Sequence, residues 1–163
     1  MAKEIERKFL VADGSWKATA KGAARMRQGY IASGADRSVR VRITAKGNAR
    51  LTVKIGSSSL VRDEFEYDIP LDEAEELLTH AIGKVIEKTR HRVKFGKFVW
   101  EVDVFEGAYA GLVVAEVEMR STKDNPELPP WIGRELTGDP RFSNHHLAVE
   151  ADGPEELLHA LSS

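Results

Sequence analysis

The sequence contains no cysteine, and this absence excludes several kinds of chemistry at once. Disulfide frameworks, zinc–thiolate sites, iron–sulfur clusters and thiol nucleophiles all require cysteine. The chain also lacks an apolar run near the roughly 18 to 20 residues that a membrane-spanning helix needs. Residues 1–8 alternate in charge, whereas a signal peptide has an apolar core near its start. We therefore expect a cytoplasmic protein that has no membrane partner.

A surplus of charge of one sign is also missing. The 24 Lys and Arg residues nearly balance the 26 Asp and Glu residues, for a formal net charge of −2. A protein that binds nucleic acid without regard to its sequence normally has a clear basic surplus, so we expect no nucleic-acid partner. Yet 31% of the residues are charged, compared with about 25% in an average soluble domain. The placement of these charges is therefore the main question.

The length and the hydrophobic content suit one folded domain. The chain has 163 residues, of which 42% are hydrophobic, and a domain usually takes roughly 100 to 200 residues. No stretch rich in Pro, Gly or Ser is long enough to act as an interdomain linker. We predict a single domain over residues 1–163.

Alternating polar and apolar residues predict a mainly antiparallel β fold of the α+β class. A helix is predicted over 71–82, where apolar residues recur at helical spacing until Gly83, and weaker helices over 14–24 and 154–161. Residues 125–133 contain three prolines, so we predict neither a regular strand nor an uninterrupted helix there. The predicted strands are 2–11, 28–33, 38–45, 50–56, 60–69, 85–95, 98–105 and 112–121.

Every predicted strand except 28–33 has one charged face, because alternate residues of a strand point to opposite sides. Glu4, Glu6 and Lys8 share one face of the first strand, and Lys88 and Arg90 share one face of the sixth. Solvent alone explains any single face of this kind, since antiparallel sheets often expose one side. Like charges side by side are destabilising, however, unless opposite charge lies against them. An eight-stranded closed barrel with its charged faces inside and helices packed outside would place them together.

A series of charged motifs follows one order along the chain. It begins with Glu4, Glu6 and Lys8 and ends with segment 136–148. Between these lie Arg40 and Arg42, Lys54, Glu64 and Glu66, Lys88 with Arg90 and Arg92, Glu101 and Asp103, and Glu116 and Glu118. This order resembles that of the CYTH superfamily, the triphosphate tunnel metalloenzymes. The resemblance covers essentially the whole chain, and its length is that of the short bacterial members.

The resemblance implies an eight-stranded tunnel that binds a small-molecule triphosphate together with Mg2+ or Mn2+. Both ions take carboxylate, phosphate and water oxygens as ligands. By this resemblance the metal ligands would be Glu4, Glu6, Asp103, Glu116 and Glu118. The residues expected to act in catalysis are Glu4, Glu6, Lys8, Lys88, Glu116 and Glu118.

The resemblance also assigns the cations to the phosphate chain. Several cations are needed to neutralise a triphosphate, and Arg binds phosphate oxygens through two parallel hydrogen bonds, whereas Lys acts as a point charge. The phosphate-binding residues would be Lys8, Arg40, Arg42, Lys54, Lys88, Arg90 and Arg92. A homodimer is compatible with the resemblance, but the sequence does not determine the oligomeric state.

The leading functional hypothesis is a metal-dependent hydrolase that cleaves inorganic tripolyphosphate to pyrophosphate and phosphate. A metal-activated water would attack the terminal phosphorus, and no covalent nucleophile is needed. The family also includes adenylate cyclases of class IV, which form cyclic AMP and pyrophosphate from ATP, and thiamine or nucleoside triphosphatases. A polyphosphate- or nucleotide-binding module is the alternative outside enzymes. The shared tunnel motifs do not separate these activities, nor Mg2+ from Mn2+.

Other residues carry weaker signals. His145 and His146 would point to opposite sides of a strand, and we expect a structural or surface role for both. His91 has the opposite parity from Arg90, so it is expected outside the tunnel. No phosphate loop of the G-x-x-x-x-G-K-[ST] type is present. Tyr30 and Trp100 are expected to be packing residues.

Overall fold

Nine antiparallel strands form one sheet in the computed structural model, which describes residues 2–56 and 60–150. A single α-helix, α1 (Leu71–Thr79), lies between the fifth and sixth strands of the described chain. The strands are β1 (Ala2–Val11), β2 (Ala20–Ser33), β3 (Arg37–Thr44), β4 (Ala49–Ile55), β5 (Val61–Asp68), β6 (Ile82–Phe95), β7 (Phe98–Phe105), β8 (Val113–Glu118) and β9 (Ile132–Glu135). The predicted helix over 154–161 lies outside the described residues.

The sheet closes into a barrel through β1. In space the strands follow the order β5-β4-β3-β2-β6-β7-β8-β1, and β1 pairs again with β5. Residues Ala2 to Ile5 pair with β5, whereas Glu6 to Leu10 pair with β8. The short strand β9 pairs with the far end of β1 as an addition to the ring. The predicted eight-stranded closed antiparallel barrel is therefore confirmed.

Two strands are longer than predicted, and one helix prediction was wrong. The segment 14–24 is not a helix: Ser15–Ala18 forms a single 3-10 turn, and β2 then begins at Ala20. The ladder to β6, which starts at Ala20, overrides the local helical preference of the Ala and Lys residues. In the same way β9 forms after the prolines, because the edge of β1 offers it a partner.

Three apolar clusters hold the barrel, and two of them lie outside it. Helix α1 covers the outer face of β3 and β4, with Ala74 and Leu78 packed on Val41. On the opposite side, Trp16 and Trp131 cover the outer face of the strands around Trp100. The expected packing role of Trp100 agrees with its full burial. No helix in the described part of the chain is long and apolar enough to cross a membrane.

The third cluster plugs one end of the barrel from within. Tyr30, Ile86 and Phe105 meet Phe142 and Leu147, which belong to the chain after β9. This chain makes a 3-10 turn at Pro140–Phe142 and a π-helical turn at His146–Glu150. The interior is therefore apolar at one end and charged beyond it, so that the barrel is a cup rather than an open tube.

Gly83 gives a direct test of this plug. Its φ is +69°, and a Cβ at this position would lie 2.0 Å from the Ala148 carbonyl oxygen. We expect Gly83→Ala to lower the free energy of unfolding by more than about 2 kcal/mol, since the left-handed backbone alone costs about 1 to 2 kcal/mol. Gly22→Ala is the matched control, because Gly22 has a φ of +70° and nothing within 4 Å of its added Cβ.

Urea unfolding of the two variants measures the difference. Equal losses in both variants would contradict the close approach between Gly83 and the plug. A larger loss in Gly83→Ala would show that the segment at 148 packs against the barrel in solution.

Candidate active site

A cavity of about 320 Å3 occupies the charged part of the barrel interior. Its lining comes from the inward faces of the eight barrel strands and from the chain after Phe142, and it is almost wholly polar. The lining residues are Glu4, Glu6, Lys8, Tyr30, Ser38, Arg40, Arg42, Arg50, Lys54, Arg62, Glu64, Glu66, Arg90, Glu101, Glu116, Glu118, Ser143, Asn144 and His145. Most of the residues predicted for the site are thus brought together around one space.

Cross-strand pairing places like charges next to each other on one wall of the cavity. Glu6 of β1 lies opposite Glu118 of β8, and Glu101 of β7 lies opposite Glu116 of β8. Directly opposed side chains on a sheet point to the same face, and like charges there repel each other. This wall is therefore a carboxylate patch that an opposing cation would stabilise.

The buried carboxylates of this patch influence each other strongly. Burial, together with the charges of Glu116 and Glu4, raises the pKa of Glu6 well above its ordinary value. Burial opposes ionisation of Glu116 as well, but Lys8, then Arg90, lie near it and hold its pKa well below the usual range. The Lys8 Nζ lies 3.6 Å from Glu116 Oε1. Ionisation of Glu6 is thus disfavoured beside the Glu116 carboxylate.

A second carboxylate pair lies where β1 meets β5. Lys54 Nζ contacts both oxygens of Glu4, at 3.1 and 3.0 Å, and lies 3.5 Å from Glu64. Burial and a hydrogen bond shared with Glu4 raise the pKa of Glu64 to about 7. Arg62 also approaches Glu4, at 3.4 Å. Lys54 thus lies between two acids that repel each other.

The carboxylates of this patch fit a hard divalent cation, such as Mg2+, that takes only some of its ligands from the protein. Within residues 2–56 and 60–150, no three acidic, histidine or cysteine side chains converge as a complete metal cage. Mg2+ is typically held by one or two carboxylates together with phosphate oxygens and waters. Burial, followed by repulsion from Glu116 and Glu4, raises the pKa of Glu6, and a bound cation would relieve this repulsion. The carboxylate patch therefore suits a metal that arrives with an anionic ligand.

The facing wall is cationic. Arg40 and Arg42 extend inward from β3, and Arg90 extends inward from β6. Arg40 is buried, and its Nε has no hydrogen-bond partner in the described part of the chain. Burial, followed by repulsion from Arg40 and Arg90, lowers the pKa of Arg42 to about 9. Such crowding of like charges favours an anion between these guanidinium groups.

Asp103 lies below this wall and is bound to two cations. Its oxygens accept hydrogen bonds from Arg90 at 2.7 and 2.9 Å, and Lys88 Nζ lies 2.7 Å from Oδ2. Asp103 is 1% exposed and Lys88 is wholly buried. Burial lowers the pKa of Lys88 to about 7, against the attraction of Asp103. Neither Asp103 nor Lys88 lines the cavity, and their contacts suit a role in orienting Arg90. The expected contacts of Asp103 with metal and of Lys88 with phosphate stay predictions.

Arg92 and Glu118 mark the open rim of the cup. Arg92 is exposed and lies one face-repeat beyond Arg90 on β6. Burial, followed by the charges of Glu4 and Glu101, raises the pKa of Glu118. Arg92 does not line the central cavity, so its predicted contact with phosphate requires a ligand that extends to the rim.

The chain after β9 contributes residues that the strand pattern did not identify. Lys8 Nζ donates a hydrogen bond to the Phe142 carbonyl at 3.1 Å, and Lys88 Nζ donates to Asn144 Oδ1 at 3.4 Å. A lysine ammonium only donates, so Asn144 presents its oxygen to Lys88. The amide nitrogen of Asn144 has no partner among the described residues, and Asn144 lines the cavity. Asn144 is therefore available to donate to a ligand.

The expectation for His145 was incomplete. His145 and His146 do not lie in a strand, because the chain makes a π-helical turn at His146–Glu150. The His145 ring bonds Ser33 Oγ at 2.7 Å, packs edge-on against Tyr30, and lines the cavity. His91 lies outside the barrel, where it packs on Trp16, as its parity predicts. The sequence pattern could not have identified His145, because this residue lies in an irregular part of the chain. No repeating period there indicates which side chains face the interior.

Arg50, Arg62, Glu64, Glu66 and Glu101 also line the cavity, although the sequence analysis assigned them no role in the site. These residues lie on the inward faces of β4, β5 and β7, so the alternation of inward and outward side chains could have identified them.

The family described as the CYTH domain matches residues 2–143. An inorganic triphosphatase of Acetivibrio thermocellus is 48% identical over 148 residues, which cover 90% of this chain and 94% of the relative. An inorganic triphosphatase of Nitrosomonas europaea is 36% identical over 153 residues, with 90% and 97% covered. A crystal structure of an inorganic triphosphatase superimposes with a TM-score of 0.65 and 34% identity, covering 93% of this chain and 97% of that one.

Proposed function

Because the chain belongs to the CYTH domain family, we propose that it is an inorganic triphosphatase, which hydrolyses tripolyphosphate to pyrophosphate and phosphate. The two relatives named inorganic triphosphatase align along nearly their whole length. The observation that carries the proposal is the division of one cavity inside the barrel into a cationic wall and a carboxylate wall. A phosphate chain with its metal matches both walls at once.

The phosphate chain would lie against the cationic wall. Arg40, Arg42 and Arg90 offer donors that reach several phosphate oxygens, and Arg forms paired hydrogen bonds with such oxygens. The unpartnered Nε of Arg40 is a buried donor that an oxygen anion would satisfy. Lys8 and Lys54 lie toward the carboxylate wall. Their positive charges would reduce the repulsion between the substrate phosphates and these carboxylates. Asn144 would add a neutral donor beside the plug.

The carboxylate wall would hold a divalent metal, Mg2+ or Mn2+. Triphosphatases of this family are metal-dependent. The ligands would be drawn from Glu4, Glu6, Glu116 and Glu118. When bound, the metal supplies charge neutralisation at the phosphates and an activated water for hydrolysis. Asp103 would act by holding Arg90, since both of its oxygens already accept hydrogen bonds from cations.

Binding and positioning by these side chains account for most of the chemistry that hydrolysis of a phosphoanhydride needs. The charge that spreads over the transferred group in the transition state is stabilised by donors that are already in place. The guanidinium groups of Arg42 and Arg90 are held by the buried partners Gln28 and Asp103 before a ligand arrives. Such an arrangement needs little reorganisation when the substrate reacts.

A panel of substrates tests the proposal. Tripolyphosphate, ATP and thiamine triphosphate are each incubated with the protein and either Mg2+ or Mn2+, and the products are identified. We expect the fastest phosphate release from tripolyphosphate, complete loss with EDTA, and recovery when excess metal is added.

Other outcomes would overturn the proposal in defined ways. Cyclic AMP and pyrophosphate from ATP would identify a cyclase. Metal-independent binding without any turnover would identify a binding module. A Glu116→Gln preparation purified in parallel controls for contaminating phosphatases, because a contaminant would be present in both preparations.

A further inference from the structure

Gln28 is the single glutamine of the chain, and it lies where the charged part of the barrel interior borders the apolar plug, between Arg42 and Ile86. It sits on β2 directly opposite Arg42 of β3, so the two side chains share the inner face. Gln28 is wholly buried, and its Oε1 accepts a hydrogen bond from Arg42 Nε at 2.8 Å. Because Gln28 does not line the cavity, it acts on a ligand only through Arg42.

The other end of the amide is unsatisfied. Gln28 Nε2 is buried and has no hydrogen-bond partner in the described part of the chain. An unpaired buried donor is destabilising. A glutamate of nearly the same shape would remove this donor and would form an ion pair with Arg42. The neutral amide is therefore the less stable of the two choices for the folded protein.

Arg90, by contrast, is held by a charged acceptor. Arg90 is fixed by the Asp103 carboxylate through two hydrogen bonds, and its charge is compensated by the protein itself. Arg42 is hydrogen-bonded to a neutral acceptor, and Arg40 and Arg90 crowd it with positive charge that Asp103 and Glu116 offset only in part. Much of the charge of Arg42 is consequently left for a ligand in the cavity.

We propose that Gln28 is a positioning residue that orients Arg42 through a neutral acceptor and so preserves its charge for a phosphate oxygen. This inference rests on the proposed function, since it takes the ligand to be an oxyanion chain. The unpaired amide of Gln28 thus lowers the stability of the folded protein but allows tighter binding of the substrate.

The test is Gln28→Glu, studied by thermal unfolding, by steady-state kinetics with tripolyphosphate and Mg2+, and by calorimetric binding of tripolyphosphate alone. We expect a higher unfolding midpoint together with a KM and a Kd raised about tenfold or more, as for the loss of a charge-assisted contact. A purely structural role would move stability and binding in the same direction. Asn125→Asp makes the same change of amide to acid at an exposed position and is expected to alter neither.

Gln28→Met separates orientation from charge. It removes the acceptor while leaving Arg42 fully charged, so we expect a smaller rise in KM than in Gln28→Glu. Unchanged KM and Kd in a folded Gln28→Glu would overturn the inference, and so would an unchanged KM in Gln28→Met if Gln28→Glu does not fold. Absence of turnover by the wild type would instead refute the proposed function, and the calorimetric comparison would still decide the role of Gln28.

Discussion

Glu116→Gln is expected to lose at least about 99% of metal-dependent turnover of tripolyphosphate and to remain folded. Changes in groups that only support metal ligands already reduce activity or metal affinity about 10- to 100-fold, so the loss of a ligand is expected to exceed that range. Glu116 is 7% exposed and lies between Lys8 on β1 and Glu101 on β7. Phosphate release at saturating tripolyphosphate, with Mg2+ and with Mn2+, measures the loss.

The fold should tolerate this change, because the neutral amide loses attraction to Lys8 and also repulsion from Glu6. Glu73→Gln makes the same substitution on the exposed first turn of α1 and should retain full activity. A folded Glu116→Gln with normal activity would remove Glu116 from the site. An unfolded one would mean that its ion pair with Lys8 mainly supports the barrel.

Asp103→Ala should produce the largest loss of stability, about 3 to 5 kcal/mol in the free energy of unfolding. Removing one partner of a buried ion pair leaves the other charge uncompensated, and here two cations lose their acceptor. Lys88 is wholly buried and Arg90 is mostly so. Urea unfolding monitored by circular dichroism measures the effect.

Two variants sharpen this measurement. Asp139→Ala breaks the partly exposed pair with Arg141 and the bond from the Arg141 backbone N–H that caps the 3-10 turn, and should cost at most about 2 kcal/mol. Adding Lys88→Met to Asp103→Ala should recover part of the stability, since one buried charge then disappears. If Asp103→Ala is as stable as Asp139→Ala, the buried triad does not exist in solution.

Alternation along the strands predicted which side chains face the interior. Glu4, Glu6 and Lys8 point inward on β1, and Arg40 and Arg42 point inward on β3, as the two-residue period requires. A period identifies a face but carries no information on depth along the barrel axis. For this reason Lys88 and Asp103 share the inward face of Arg90 and yet lie beneath the cavity.

The chain after β9 could not be predicted in the same way. Its contribution depends on contacts between distant residues, such as Lys8 with Phe142 and Ser33 with His145. No repeating pattern encodes such contacts, because the segment is an irregular series of turns. The apolar plug escaped prediction for a related reason: Ile86 and Phe105 have the parity of charged neighbours and differ from them only in position along the axis.

The double pairing of β1 has a consequence for how the protein is made. On the ribosome β1 is synthesised before all its partners, and Glu6 must wait for Glu118, about 110 residues later, which takes roughly 5 to 20 seconds at usual elongation rates. Until then Glu6 belongs to an unpaired edge, even after residues 2–5 can pair with β5, and pairings this distant in sequence form slowly. Ring closure and assembly of the acidic wall are thus the same late event, so an incomplete chain is expected to have neither a barrel nor a reactive cavity.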